Sequence, residues 1–279
     1  MGHKAHSFSR TYAASDIQKI EGFNVPPTQP VAPFHAFTSV MKLLANKEDT
    51  RQVFEIISAM AGKSHHRFFE RFVKSEYGRR VVTEPVKLEE IMTRKDWLRS
   101  LPEGSVGRAY LAFMEGENLT PDGVVGAAEE AGIGYTGETQ FPEMRRMSLN
   151  FEVAHDLWHV LTGYGRDTLG ELCLLIYTRE QTGNEGLRLI TWIGALAGKL
   201  EQPGMKTLSA MKEAKAMGEK SSWLPAEDIE IMLAQPLEAV RDRLGLIEPV
   251  IYKSIPLEQK STLLKPRVEQ TQTQREQAA

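Results

Sequence analysis

The apolar residues of this chain recur mostly at intervals of three and four, the spacing that stacks side chains on one face of an α-helix. Between Pro33 and about Gly78 the run FTSVMKLLANKEDTRQVFEIISAMAG predicts two amphipathic helices, the second stopped at Gly62, and HHRFFERFVKSEYG predicts a third. A fourth runs through GRAYLAFMEGENL and ends on the turn signal TPDG. The glycine-rich stretch GVVGAAEEAGIGYTGETQ is the least regular part. After it come a helix across HDLWH and then TLGELCLLIYTREQ, GLRLITWIGALAGKL, KTLSAMKEAKAMG and EDIEIMLAQPLEAVRDRLG. Alternating strand patterns are scarce, and no internal repeat emerges.

The expected fold is all-α, a mostly helical, bundle-like single domain over residues 34–252. Residues 1–33 read as an extended Pro-rich arm, because each proline of VPPTQPVAP fixes φ and removes a donor. Residues 253–279 read as a disordered, Gln-rich tail with too little apolar surface to offset the entropy of ordering it.

Composition narrows the function. With 279 residues, 41% hydrophobic and 25% charged, the chain can bury a sizeable core. A formal net charge of -3 argues against a nucleic-acid partner, which normally selects a basic stripe. One cysteine, Cys173, excludes an intrachain disulfide and a cysteine-rich metal cluster, and fits a reducing compartment such as the cytoplasm. The most apolar run, Leu187 to Ala197, contains Arg188 and has about half of the ~20 residues that span a bilayer as a helix. The start, MGHKAHSFSR, has no apolar secretory segment.

The candidate chemistry is concentrated in HDLWHVLTGYGRDTLGE. His155 and His159 are four apart, so on a helix both imidazoles lie on one face, close enough to share an ion. Asp156 follows His155 and on an ideal helix points about 100° away, so it joins the ion only by leaning across, or else orients a histidine from behind. The run GYG at 163–165 should break the helix and let the chain bring Glu171 back against the histidines. Two imidazoles with one or two carboxylates suit zinc, iron or manganese. The competing structural readings are a surface histidine pair, a capping box over Thr168–Glu171, a Cys173 that is simply a small buried hydrophobe, and His65 and His66 as surface residues. HDLWH also differs from the HExxH zincin signature by Asp for Glu, which would withdraw the general base by a methylene, so a metallohydrolase ranks third.

This pattern, with LPEGSVGRAYLAFMEGENLTPDG before it and LEAVRDRLGL after it, resembles the signature of the coenzyme Q biosynthesis protein 4 family, over roughly residues 35 to 247. The resemblance implies a helical protein that binds a divalent metal, zinc first and Fe2+, Mn2+ or Mg2+ as alternatives, through His155, Asp156, His159 and Glu171. It implies an enzyme that removes the ring carboxylate of a polyprenylated hydroxybenzoate precursor and hydroxylates the vacated carbon. The alternative is a non-catalytic organiser that presents prenyl-lipid intermediates to other enzymes. The expected partners are the polyprenylated precursor, other ubiquinone-synthesis proteins and a second copy in a dimer. The expected place is the surface of the inner membrane, on the matrix side in a mitochondrion. The family's arginines before the HD pair are replaced by Asn150 and Glu152, and the nearest pair is Arg145 and Arg146. A prenyl substrate needs bilayer access, for which the Lys206–Lys220 stretch, with Met205, Leu208, Met211 and Met217 among lysines, is the first candidate and Leu187–Leu200 the second.

Overall fold

The computed structural model describes residues 8, 10–45, 50–84, 87–119, 126, 129, 132–135 and 138–262. Apart from one hairpin, the regular elements among these residues are helices, as the apolar spacing predicts. The glycine-rich stretch before the site falls largely outside the described residues.

The first half holds α1 (Pro33–Ala45), α2 (Thr50–Ala61), α3 (Ser64–Lys74), α4 (Glu76–Thr83), α5 (Leu88–Met92), α6 (Lys95–Ser100) and α7 (Val106–Gly116). Gly62, at φ 49, ends α2 where expected. Ser75 and Ser105 cap α4 and α7, each accepting from the N–H three residues on. The second half holds α8 (Pro142–Thr162), α9 (Thr168–Thr182), α10 (Glu185–Glu201), α11 (Thr207–Lys220), α12 (Ile229–Leu233), α13 (Leu237–Leu244), α14 (Val250–Lys253) and α15 (Leu257–Thr262).

The 21-residue α8 is the axis of the molecule: Met144, Met147, Leu157, Trp158 and Leu161 are buried along it, and α3, α4, α5, α7 and α9 pack around it. The most extensive helix pair is α9 with α11, where Ala210, Ala214 and Gly218 present a small-residue stripe that lets α9 approach closely. A Cβ on Gly218 would stand 3.1 Å from the Tyr177 carbonyl oxygen. This turns Met217 inward, so the methionine does not line a membrane-facing surface as the sequence pattern suggested. A second, smaller apolar cluster of Ala36, Val40, Ile56 and Ala59 lies where α1 and α10 meet α2.

Both ends are more structured than composition predicts. Gln18–Ile20 pairs antiparallel with Phe23–Val25 through a turn in which Glu21 and Gly22 take φ of 50 and 90, the twist a two-residue hairpin prefers. Phe8 and Val25 are buried, while residues 10–13 and 26–32 carry no regular element. At the other end α15 packs on α9 and buries Lys260, while residues 263–279 lie outside the described residues. His66 is half-buried rather than a surface residue, its ring bridging the Thr28 hydroxyl at 2.7 Å and the Pro26 carbonyl at 2.8 Å.

Candidate metal centre

Helix α8 ends on Gly163, whose φ of 77 is the left-handed conformation that closes helix C-termini. Residues 163–167 reverse the chain and α9 starts at Thr168, the reversal that GYG predicts. The turn brings Glu171, in the first turn of α9, to within 3.5 Å of His159, Oε2 to Nε2. The rings of His155 and His159 stand 5.0 Å apart, and one ligand atom each from His155, Asp156 and His159 lie within 4.8 Å of one another. Asp156 leans across as that geometry requires: it is buried, and its Oδ1 is 3.6 Å from His155 Nδ1.

His159 is the most constrained member. It is 1% exposed, stacked under Phe113 with ring centres 5.5 Å apart. Its Nδ1 lies 3.0 Å from the Tyr164 carbonyl oxygen, which can only accept, so Nδ1 carries a proton and Nε2 is the nitrogen left to face Glu171. That Nε2 is buried without a hydrogen-bond partner. A buried acceptor facing a carboxylate is unsatisfied unless a cation or a proton lies between them, and a histidine tied at one nitrogen and open at the other is the usual posture of a ligand. The donor set fits a divalent ion.

Electrostatics agree with shared positive charge at this point. Burial works against a charged His155, but Asp156, Glu171 and Glu152 outweigh it and hold its pKa up. Burial likewise opposes a charged Glu171, yet His159, His155 and Arg166 hold its carboxyl below the usual range. Glu152, one turn before His155, is pushed by burial up to about 7. Tyr110 of α7 is buried with an unpartnered hydroxyl, and burial and the nearby Asp156 keep it protonated.

The turn is fastened from outside. Arg241 of α13 donates from Nε to the Leu161 carbonyl at 3.0 Å and from Nη2 to the Val160 carbonyl at 2.9 Å, closing the C-terminal end of α8. Asp167 caps α9 by accepting from Gly170 N–H at 3.0 Å. The cap is therefore Asp167, not a Thr168–Glu171 box, and Glu171 is free to face His159. Arg146 donates to the Val82 carbonyl at 2.6 Å, and the arginine beside Glu171 is Arg166, 3.5 Å away. Cys173 is fully buried, its thiol pushed up by burial, so it is the small hydrophobe expected.

Residues 27–250 match the coenzyme Q (ubiquinone) biosynthesis protein Coq4 family. The chain belongs to that family. A mitochondrial ubiquinone biosynthesis protein COQ4 homologue of Bos taurus is 28% identical over 155 residues, covering 54% of each chain. The Rattus norvegicus homologue is 26% identical over 187 residues, 64% of each. The chain thus spans between about half and two thirds of the length of these relatives. A crystal structure from Nostoc punctiforme PCC 73102, of a protein assigned to ubiquinone biosynthesis, shares the fold at a TM-score of 0.54 and 18% identity, covering 78% of this chain and 99% of that one.

Of the four residues singled out in the sequence, His155, Asp156 and His159 cluster and Glu171 comes up against His159. Sequence reasoning did not find Tyr110, Phe113, Glu152, Arg166 or Arg241 at the site. Only Glu152 carried a signal, three residues before His155 on the same helix face.

Proposed function

We propose that this chain holds a divalent cation, zinc foremost, with His155, Asp156, His159 and Glu171, and acts in ubiquinone biosynthesis on the ring carboxylate of a polyprenylated hydroxybenzoate. The observation that carries the reading is the buried, unpartnered Nε2 of His159 opposite Glu171, with Nδ1 committed to Tyr164. In the net change the ring–carboxylate bond breaks, carbon dioxide leaves, and a hydroxyl takes its place. With water as the oxygen source this releases two electrons and a proton, and the oxidant we assign is dioxygen, which takes up the two electrons and two protons to leave as hydrogen peroxide. A bound divalent cation would supply Lewis-acid stabilisation of charge on the carboxylate and ring. Around it, Asp156 and Glu171 fix the charge of the site, Phe113 covers His159 against water, and the exposed Arg166 offers a cation at the rim to a carboxylate-bearing substrate.

The prenyl chain requires a bilayer, and we place the membrane face on α1 and α10 rather than on α11. Phe34, Phe37 and Met41 on α1 and Trp192, Leu196 and Leu200 on α10 are each more than half exposed, a density that isolated surface hydrophobics do not reach. Lys42, Arg188 and Lys199 accompany them on the exposed faces, suited to anionic headgroups. Among the described residues no helix is long and apolar enough to cross a membrane.

The test is the quinone-precursor profile of cells lacking the protein, together with metal analysis of the purified chain. Accumulation of the ring-carboxylated prenyl intermediate, cleared by the wild type and not by His159→Ala, is the expected result. Loss of several pathway steps together, restored equally by His159→Ala, would overturn the catalytic reading in favour of an organiser. A wild type that takes up no divalent metal would remove the site.

A further inference from the structure

The turn between α8 and α9 is gripped by a residue that lies just beyond the family match. Tyr252, on α14, is buried; its hydroxyl accepts from Gly165 N–H at 2.9 Å and donates to Asp167 Oδ2. Its ring meets Tyr164 edge to face at 5.2 Å. The backbone N–H groups of Ile251 and Tyr252 donate to the Glu213 carboxylate at 3.0 and 3.1 Å, which anchors the tyrosine to α11. Lys260 closes the remaining side, its Nζ 3.9 Å from the Tyr252 ring centre and 4.0 Å from Asp167 Oδ2. A Cβ at either Gly165 or Gly170 would stand 2.8 Å from the Tyr252 hydroxyl, so both glycines leave room for that oxygen.

The hydroxyl's target matters because of what shares its peptide group. Gly165 N–H and the Tyr164 carbonyl are opposite ends of one planar amide, so fixing the direction of one fixes the other. Tyr252 holds the N–H end and His159 Nδ1 takes the C=O end. We propose that Tyr252 is a positioning residue for His159: by fixing the Tyr164–Gly165 peptide plane it sets the carbonyl that selects the tautomer and ring orientation of His159. The functional weight of this inference rests on the reading that His159 ligates a divalent cation.

Tyr252→Phe, in the full chain, keeps the ring against Tyr164 and Lys260 and removes only the hydroxyl. Zinc affinity should fall about 10–100-fold, the usual effect of removing support behind a metal-binding histidine. In the metal-free protein, side-chain nitrogen NMR at mildly alkaline pH should show His159 moving from one Nδ1–H tautomer to a mixture. The control is Tyr177→Phe, which deletes another buried hydroxyl, bonded to Ser221 at 3.1 Å, and should leave both zinc affinity and tautomer as in the wild type. If Tyr252→Phe does not fold, Asp167→Asn, which keeps the cap and withdraws the carboxylate that aims the hydroxyl, is measured the same way. A variant that binds zinc as tightly as the wild type and keeps a single His159 tautomer overturns the inference. A wild type that takes up no divalent metal overturns the proposed function instead, and the tautomer then decides this inference alone.

Discussion

Gly170→Ala tests, without touching a charged or hydrogen-bonding side chain, whether the reversal between α8 and α9 governs the site. A Cβ at position 170 would lie 2.0 Å from the Gly165 carbonyl oxygen and 2.8 Å from its carbon. The obstruction is backbone, so no rotamer change relieves it, and the start of α9 must retreat by about 1 Å to reach ordinary contact. Overpacking of this kind costs ~1–3 kcal/mol, and the better helix propensity of alanine returns up to ~1 kcal/mol. From the middle of that range the net loss is ~1–2 kcal/mol, which lowers Tm by roughly 2–8 °C in a chain of this size. Glu171 is the next residue, so the same retreat carries its carboxylate away from His159 by more than the ~0.5 Å such a site tolerates. Zinc affinity, read by competition with a chromophoric chelator, should fall about 10-fold or more. Gly116→Ala is the matched control: nothing lies within 4 Å of its Cβ, and it should be neutral or slightly stabilising. Wild-type Tm and zinc affinity in Gly170→Ala would refute the argument.

His155→Ala and His159→Ala should each lose most bound metal by elemental analysis, and full occupancy in both would remove the site. Glu171→Gln should weaken metal binding while leaving the melting of α9 unchanged, since Asp167 supplies the cap; a large loss of helix content would show that Glu171 supports the fold instead. Replacing Phe37 and Trp192 by Ser should abolish flotation with anionic vesicles at low salt, whereas Lys212→Gln with Lys215→Gln should not; the opposite pattern would return the membrane face to α11. Burial raises the pKa of Cys173, Tyr110 and Tyr164, so the folded state binds their protons more tightly than the unfolded chain does. That contribution is fully present below about pH 8.5–10, the unfolded range of these groups, and is lost as pH rises beyond it. Tm should therefore hold to about pH 9 and fall steeply above it, and a flat alkaline profile would contradict the burial.

Much of this architecture is legible in the sequence because it depends on local rules. Apolar spacing gives the helices, Gly62 and Gly163 end two of them, and the four-residue interval from His155 to His159 puts both rings on one face. The parts that spacing cannot reach are those decided by packing between distant segments. Arg241 and Tyr252 lie about 80 residues after the α8–α9 turn they fasten, and nothing local marks them as its supports. For Asp156 spacing left two outcomes open, and only the packed structure shows the buried carboxylate leaning toward His155. The lysine-rich helix misleads for a different reason. Ala210, Ala214 and Gly218 are buried in its packing and Met217 is buried with them, so the alternation of lysine and methionine does not describe one exposed apolar face. The N-terminal hairpin was announced only by Glu21-Gly22, a two-residue signal easily lost beside four prolines.

The small cluster under α1 has a thermodynamic consequence of its own. Cooperative opening of a protein segment costs roughly what its own buried contacts contribute, so segments resting on separate cores open at separate free energies. Helix α1 meets its neighbours through Ala36, Val40, Ile56 and Ala59, their partly buried neighbours and the His35–Glu55 pair at 3.0 Å, whereas α8 and α9 share the main core. The amides of α1 can therefore exchange through a partial opening that leaves the His155–Glu171 turn folded. A lipid surface that favoured the lifted helix would find Leu189, Ile190 and Ile193 beneath it, and would draw on the stability of that small core alone.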